Sequence, residues 1–177
     1  MQNSTLLLPI TGFYAGILGF VTWPLAVRVG LARGAALVSL GDGSREQALE
    51  IVANAAANGK LSSEALLAPD NVYKTKYWIL MKRVRAHGNF VEHTVIMLIL
   101  CAIAELNGAP PMFLNLILAT FTIGRVLVDY AITSTPMALG WGRAAGMITS
   151  GLGIGLVGGW NVWATYGVWR DGAVKFP

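Results

Sequence analysis

Four stretches of this chain, 6–27, 77–106, 112–133 and 144–169, are each about as long and apolar as a helix that crosses a membrane. Roughly 20 predominantly apolar residues cover the 30 Å of a hydrocarbon core, and no other property of the sequence limits the fold as tightly. The charge content agrees. Of 177 residues, 55% are hydrophobic and 12% are charged, against about 25% charged in soluble domains. The expected fold class is all-α integral membrane: one domain over 1–177 built as a four-transmembrane-helix bundle.

The first span carries Pro9 near its start and Pro24 near its end, with Gly12, Gly16 and Gly19 offering a small-residue face; Arg28 and Arg33 follow its exit. A long connection, 38–76, comes next. Gly41-Asp42-Gly43-Ser44 reads as a turn, and Ser44 with Gln47 three residues on reads as a capping box. Ala48, Leu49, Ile51, Val52, Ala55 and Ala56 recur at helical spacing and predict an amphipathic helix over 44–58, ended by Asn58-Gly59. Ser62, Ser63 and Glu64 predict a further helical turn before Pro69. The pattern suits a segment lying on the membrane surface and one capping the bundle equally well. Span 77–106 is polar in its first half and stops at Asn107-Gly108-Ala109-Pro110-Pro111, a turn so short that the next helix must return antiparallel. Trp160, Trp163, Tyr166 and Trp169 form an interfacial aromatic belt towards the end of the fourth span.

The formal net charge is +4, and the basic residues are not interleaved with aromatics, so no nucleic-acid partner is expected. They mark topology instead. The connection after span one holds Lys60, Lys74, Lys76, Lys82, Arg83 and Arg85, and the one after span three holds Arg143. Lys and Arg favour the cytoplasmic side, which places both termini on the other side, a vote that Arg170 and Lys175 weaken slightly. Residues 1–5 have no basic run, so no cleaved leader is expected and the first span is retained. Cys101, the only cysteine, lies in an apolar run and reads as packing.

The functional signal is the stretch 82–93, which is dense in polar groups and runs straight into the apolar residues 94–104. Arg85, Asn89 and Glu92 stand at i, i+4 and i+7, hence on one helical face. Arg suits a carboxylate, Asn donates and accepts, and Glu accepts from an ammonium, so the row fits a small zwitterionic ligand. A structural network fits it as well: Arg85 snorkelling to the interface and Glu92 paired with an arginine of another helix. Arg125 is the best cation for Glu92, although Asp129, four residues on, could satisfy it, or all three could join. His87 and His93 lie about 240° apart around a helix, poor spacing for a shared metal, and no metal site is expected. Gly153-x-Gly155-x-x-Gly158 matches a dinucleotide fingerprint in letters only, since no strand precedes it; Gly151, Gly155 and Gly159 at four-residue spacing read as a close-packing helix face.

Residues 85–92, Arg-Ala-His-Gly-Asn-Phe-Val-Glu, resemble the second-helix signature Arg-Ala-x-x-Asn-x-x-Glu of the MAPEG family, the membrane-associated proteins in eicosanoid and glutathione metabolism. Residues 39–43, Gly124-Arg125-Val126 and Arg143-x-x-Gly146-Met147 resemble bacterial members, and the likeness covers nearly the whole chain. It implies a homotrimer in a bacterial inner membrane with glutathione as cofactor, bound between subunits near the cytoplasmic helix ends. By this resemblance Arg85, Asn89, Glu92 and Arg125 would serve glutathione, Arg28 would reach it across the subunit boundary, and Arg143 would stabilise its thiolate. The implied activity is a glutathione-dependent transferase or peroxidase acting on a hydrophobic small molecule or lipid hydroperoxide. The alternative is a non-catalytic lipid-binding scaffold of the same fold. The chain departs from the eicosanoid enzymes at Gly88, where some carry an arginine, and at Val128 and Ile132, near which their tyrosines fall; the 38–76 connection is also longer than usual.

Overall fold

The computed structural model describes residues 6–59 and 62–170. Residues 1–5, Lys60 and Lys175, used above for the leader and the charge vote, lie outside them. Among the described residues there are seven helices and no strand: α1 (Pro9–Ala36), α2 (Ser44–Ala57), α3 (Ser63–Leu66), α4 (Pro69–Tyr73), α5 (Lys76–Leu106), α6 (Pro111–Ser134) and α7 (Trp141–Arg170). Helix is the economical solution for such sequences, because it satisfies each backbone N–H and C=O inside its own segment. Three helices, α1, α5 and α6, are long and apolar enough to cross a membrane. The 30-residue α7 matches them in length, but its glycines and tryptophans dilute its hydropathy, and it does not join them on that measure.

The long helices run antiparallel to their chain neighbours, and the ties at the two ends show it. At one end both oxygens of the Glu105 carboxylate accept the first N–H groups of α1, from Ile10 and Thr11, each at 2.8 Å. Those donors have no intrahelical partner, so a carboxylate from α5 caps α1. At the other end Ala32, Ala36 and Val38 bury against Tyr77 and Leu80 at the start of α5. Between the ends, Leu18, Phe90, Met97, Leu114, Phe121 and Val157 form the main core.

Several expectations are corrected by the structure. Helix α1 does not end near Val27. It continues through Pro24 to Ala36, so Arg28 and Arg33 lie within it. It stops where Leu37 adopts φ 59° and the N–H groups of Leu37 and Val38 fold back onto the carbonyls of Gly34 and Arg33. The capping box at Ser44 does not form. Gly43, at φ 82°, takes the cap position, and the buried Gln47 side chain instead donates to the Val72 carbonyl and the Thr75 hydroxyl. That link seats α2 on the end of α5, and the unpredicted turn α4 forms beneath it. Nor do the expected glycine faces make contacts within the chain. A Cβ at Gly12, Gly16, Gly19, Gly151, Gly155 or Gly159 would meet nothing within 4 Å. Among the helical glycines that permit close approach are Gly124, Gly142 and Gly146, where α6 and α7 cross, and Gly153, where α7 meets Met97 of α5.

Candidate functional site

The polar half of α5 opens onto a cleft of about 850 Å³. Trp78, Lys82, Arg85, Asn89 and Glu92 line it from α5, Val128 and Ile132 from α6, and Arg143 and Met147 from α7. Asp42 and Ser44 contribute from the long connection. Helical periodicity supplies the α5 row, since its members recur every three or four residues. Arg85, Asn89, Glu92 and Arg143 are therefore brought together by the fold, whereas Arg28 and Arg125 are not among the lining residues.

Arg143 stands in the first turn of α7, exposed to the cleft. Its position is set by the loop before it. Ala138 is one of only two non-glycine described residues with positive φ, at 57°. An alanine holds this conformation at a cost, and its carbonyl accepts from Arg143 Nη1 at 3.2 Å. From the other side, α5 clamps the same loop. Lys82 Nζ donates to the carbonyls of Thr133 and Thr135 at 3.1 and 3.0 Å, and Trp78 Nε1 donates to the Pro136 carbonyl at 2.6 Å. A lysine on the last carbonyls of a helix also complements its dipole.

The expected pairing of Glu92 with Arg125 is not found. Arg125 is 1% exposed and its Nη1 donates to Asn89, to Oδ1 at 2.9 Å and to the backbone carbonyl at 3.2 Å. It lies behind Asn89, whereas Glu92, a turn further on, faces the cleft and makes no ion pair among the described residues. Nor does Asp129 satisfy Arg125. The short Asp129 side chain turns to α1 instead and pairs with Arg28 at 3.0 Å. Arg28 borders a separate hollow with Ile79, Lys82, Arg83, Thr133 and Ser134.

Sequence reasoning had Lys82 only as the first residue of the polar stretch and missed Trp78, Asp42 and Ser44 as lining residues. For the first two the signal was present: they precede Arg85 by three and seven residues and extend the same helical face. Asp42 carried no such signal, because only the fold brings the connection back to α5. The Ser44 hydroxyl first, and then its N–H, hold the Asp42 carboxyl below its ordinary value. It therefore remains an anion at the cleft's rim, where the charge of Arg85 also reaches it.

The cleft thus places two exposed guanidinium groups, the carboxylates of Glu92 and Asp42, and an apolar wall within one concavity. Such a surface can hold a small molecule bearing both charges and keep an apolar partner beside it. No curated protein and no solved structure matches the chain. A model of the MAPEG family, by contrast, matches residues 11–163, from the first turn of α1 to well inside α7. The chain belongs to the MAPEG family.

Proposed function

We propose that this protein is a membrane-bound glutathione-dependent transferase or peroxidase acting on a hydrophobic electrophile or a lipid hydroperoxide. The observation that carries the reading is the convergence of Arg85, Asn89 and Glu92 of α5 with Arg143 of α7 on one cleft. Glutathione has carboxylates, an ammonium and a thiol, and these residues fit it. Arg85 offers a fork for a carboxylate, and Glu92 offers an uncommitted acceptor for the ammonium. Bound there, glutathione supplies the nucleophilic sulfur. Arg143, at the positive end of the α7 dipole, stabilises negative charge on that sulfur, and a neighbouring cation lowers a thiol pKa from about 8.5 towards neutrality. Val128, Ile132, Met137 and Met147 form the wall against which an apolar substrate rests.

The same proposal includes α7 as the fourth span, a homotrimer, and an orientation with the Arg85 end in the cytoplasm of a bacterial cell, membrane lipid surrounding the exposed apolar faces. Arg28, held by Asp129 away from its own chain's cleft, then serves the site of a neighbouring subunit. The test is conjugation of glutathione to a chloro-nitrobenzene acceptor in detergent, with wild type compared to Arg143→Ala. Turnover is expected in wild type and a loss of about a hundredfold in the variant, in line with removal of one charge-stabilising donor. Equal or absent turnover in both would refute the catalytic role.

Val128 and Ile132 favour a second reading. Both line the cleft where a tyrosine would have offered a hydroxyl, and an apolar wall there suits a non-catalytic lipid-binding scaffold. Calorimetry separates the two: lipid binding without a heat of glutathione binding belongs to the scaffold.

A further inference from the structure

Arg125 is a buried cation that makes no ion pair among the described residues. Asp129 is committed to Arg28, and Nε and Nη2 of Arg125 find no partner among the described residues. Its specific contacts are the Phe121 ring, 5.9 Å from Cζ, and the two oxygens of Asn89. A guanidinium can only donate. The atom of the Asn89 amide that faces it is therefore oxygen. The other branch, NH2, is left on the cleft side, where it meets only the Met147 sulfur at 3.9 Å, a weak acceptor. Turning the amide over would set two donors against each other and strip the buried arginine of its best contact, which is costly in a low-dielectric interior.

We propose that Arg125 is a positioning residue that locks the Asn89 amide with its NH2 towards the cleft, so that the ligand atom held at Asn89 is a hydrogen-bond acceptor and not an ammonium. The sequence leaves the polarity of Asn89 open, and the contact with Arg125 decides it. Read along α5, the site then presents a cation at Arg85, a donor at Asn89 and an acceptor at Glu92. This orders a bound zwitterion: its acceptor groups lie towards the start of α5, and its ammonium lies deeper. The assignment rests on the glutathione reading of the cleft for the identity of the ligand, but not for the direction of the amide.

The decisive variant is Asn89→Asp, studied in the full chain in detergent by glutathione calorimetry and thermal unfolding. A carboxylate keeps an oxygen towards Arg125 and gives that cation a counter-charge, so the unfolding midpoint is expected to hold or rise. The cleft-facing donor becomes an anionic acceptor, so glutathione affinity is expected to fall by roughly tenfold or more. Arg125→Lys, which keeps a donor, is expected to bind more tightly than Arg125→Met. Asn89→Asp binding glutathione as well as wild type, or unfolding below it, overturns the proposal. If wild type itself gives no heat with glutathione, the glutathione reading fails. The unfolding arm then judges the Arg125–Asn89 contact from which the orientation follows: an equal or higher midpoint sustains that contact and a lower one overturns it.

Discussion

The crossing of α6 and α7 makes Gly146→Ala the most informative single change. A Cβ on Gly146 would fall inside contact distance of the Gly124 carbonyl oxygen and of Val128 Cγ2, with the Gly124 carbonyl carbon at 3.1 Å. The obstacle is backbone, which cannot swing aside as the end of a flexible side chain can. Carbon contacts are comfortable at about 3.5–4.0 Å, so α7 must retreat by something on the order of 1 Å. Overpacking of this kind costs about 1–3 kcal/mol. The site feels it too. Gly146 lies one turn beyond Arg143, and Val128, which would be pushed, lines the cleft. Unfolding of the detergent-solubilised protein by a denaturing detergent, with glutathione affinity measured alongside, checks both effects. Both stability and affinity are expected to fall, whereas Gly167→Ala on the same helix, where a Cβ meets nothing within 4 Å, is expected to leave affinity unchanged and stability equal or up to about 1 kcal/mol higher. A Gly146→Ala variant as stable as wild type would refute the view that this crossing is held at glycine contact.

Glu105 offers a second test, far from the cleft. Glu105→Ala leaves the Ile10 and Thr11 N–H groups without their carboxylate, at a cost of about 2–3 kcal/mol; Glu105→Gln retains an acceptor and costs about 1 kcal/mol. Equal unfolding midpoints for both variants and wild type would contradict the capping role. Asp42 gives a pH test. Its folded carboxyl lies below the ordinary value of 3.8 because of Ser44. Its contribution to the Gly41–Ser44 turn is therefore complete above pH 3.8 and is lost as pH falls from there through the folded value. Amide exchange at Ser44, corrected for intrinsic rate, is expected to accelerate across that window in wild type and to show no such step in Asp42→Asn.

Much of this architecture is legible before any fold is known, because lipid leaves few choices. Apolar runs of membrane-crossing length become helices, and the breakers Asn107-Gly108 and Ser134-Thr135-Pro136 end them: α5 and α6 lie within a residue of the expected bounds. Local chemistry was less decisive where two uses of one residue compete. Ser44 and Gln47 have the spacing of a capping box, yet Gln47 gains more as a buried tether to Val72 and Thr75 than as a solvated cap. Glycines at four-residue spacing suit close packing, but spacing cannot say which helix face has a neighbour. Gly151 and Gly155 meet nothing while Gly153 between them meets Met97, and nothing in the sequence tells them apart.

What the sequence by itself determined is the class of the protein and the row Arg85, Asn89 and Glu92 on one helical face, because helical periodicity alone puts those residues in register. What only the tertiary structure decided is who pairs with whom. By spacing Arg125 could serve Glu92, Asp129 or both; the pairs that form are Arg125 with Asn89 and Asp129 with Arg28. Packing settled both, by turning Asp129 towards α1 and burying Arg125 behind Asn89. Charge pairing between helices depends on rotation and separation of whole elements, which no local pattern encodes. The same is true of Asp42, carried to the rim of the cleft by a connection that has no contact with α5 until the chain folds back upon it.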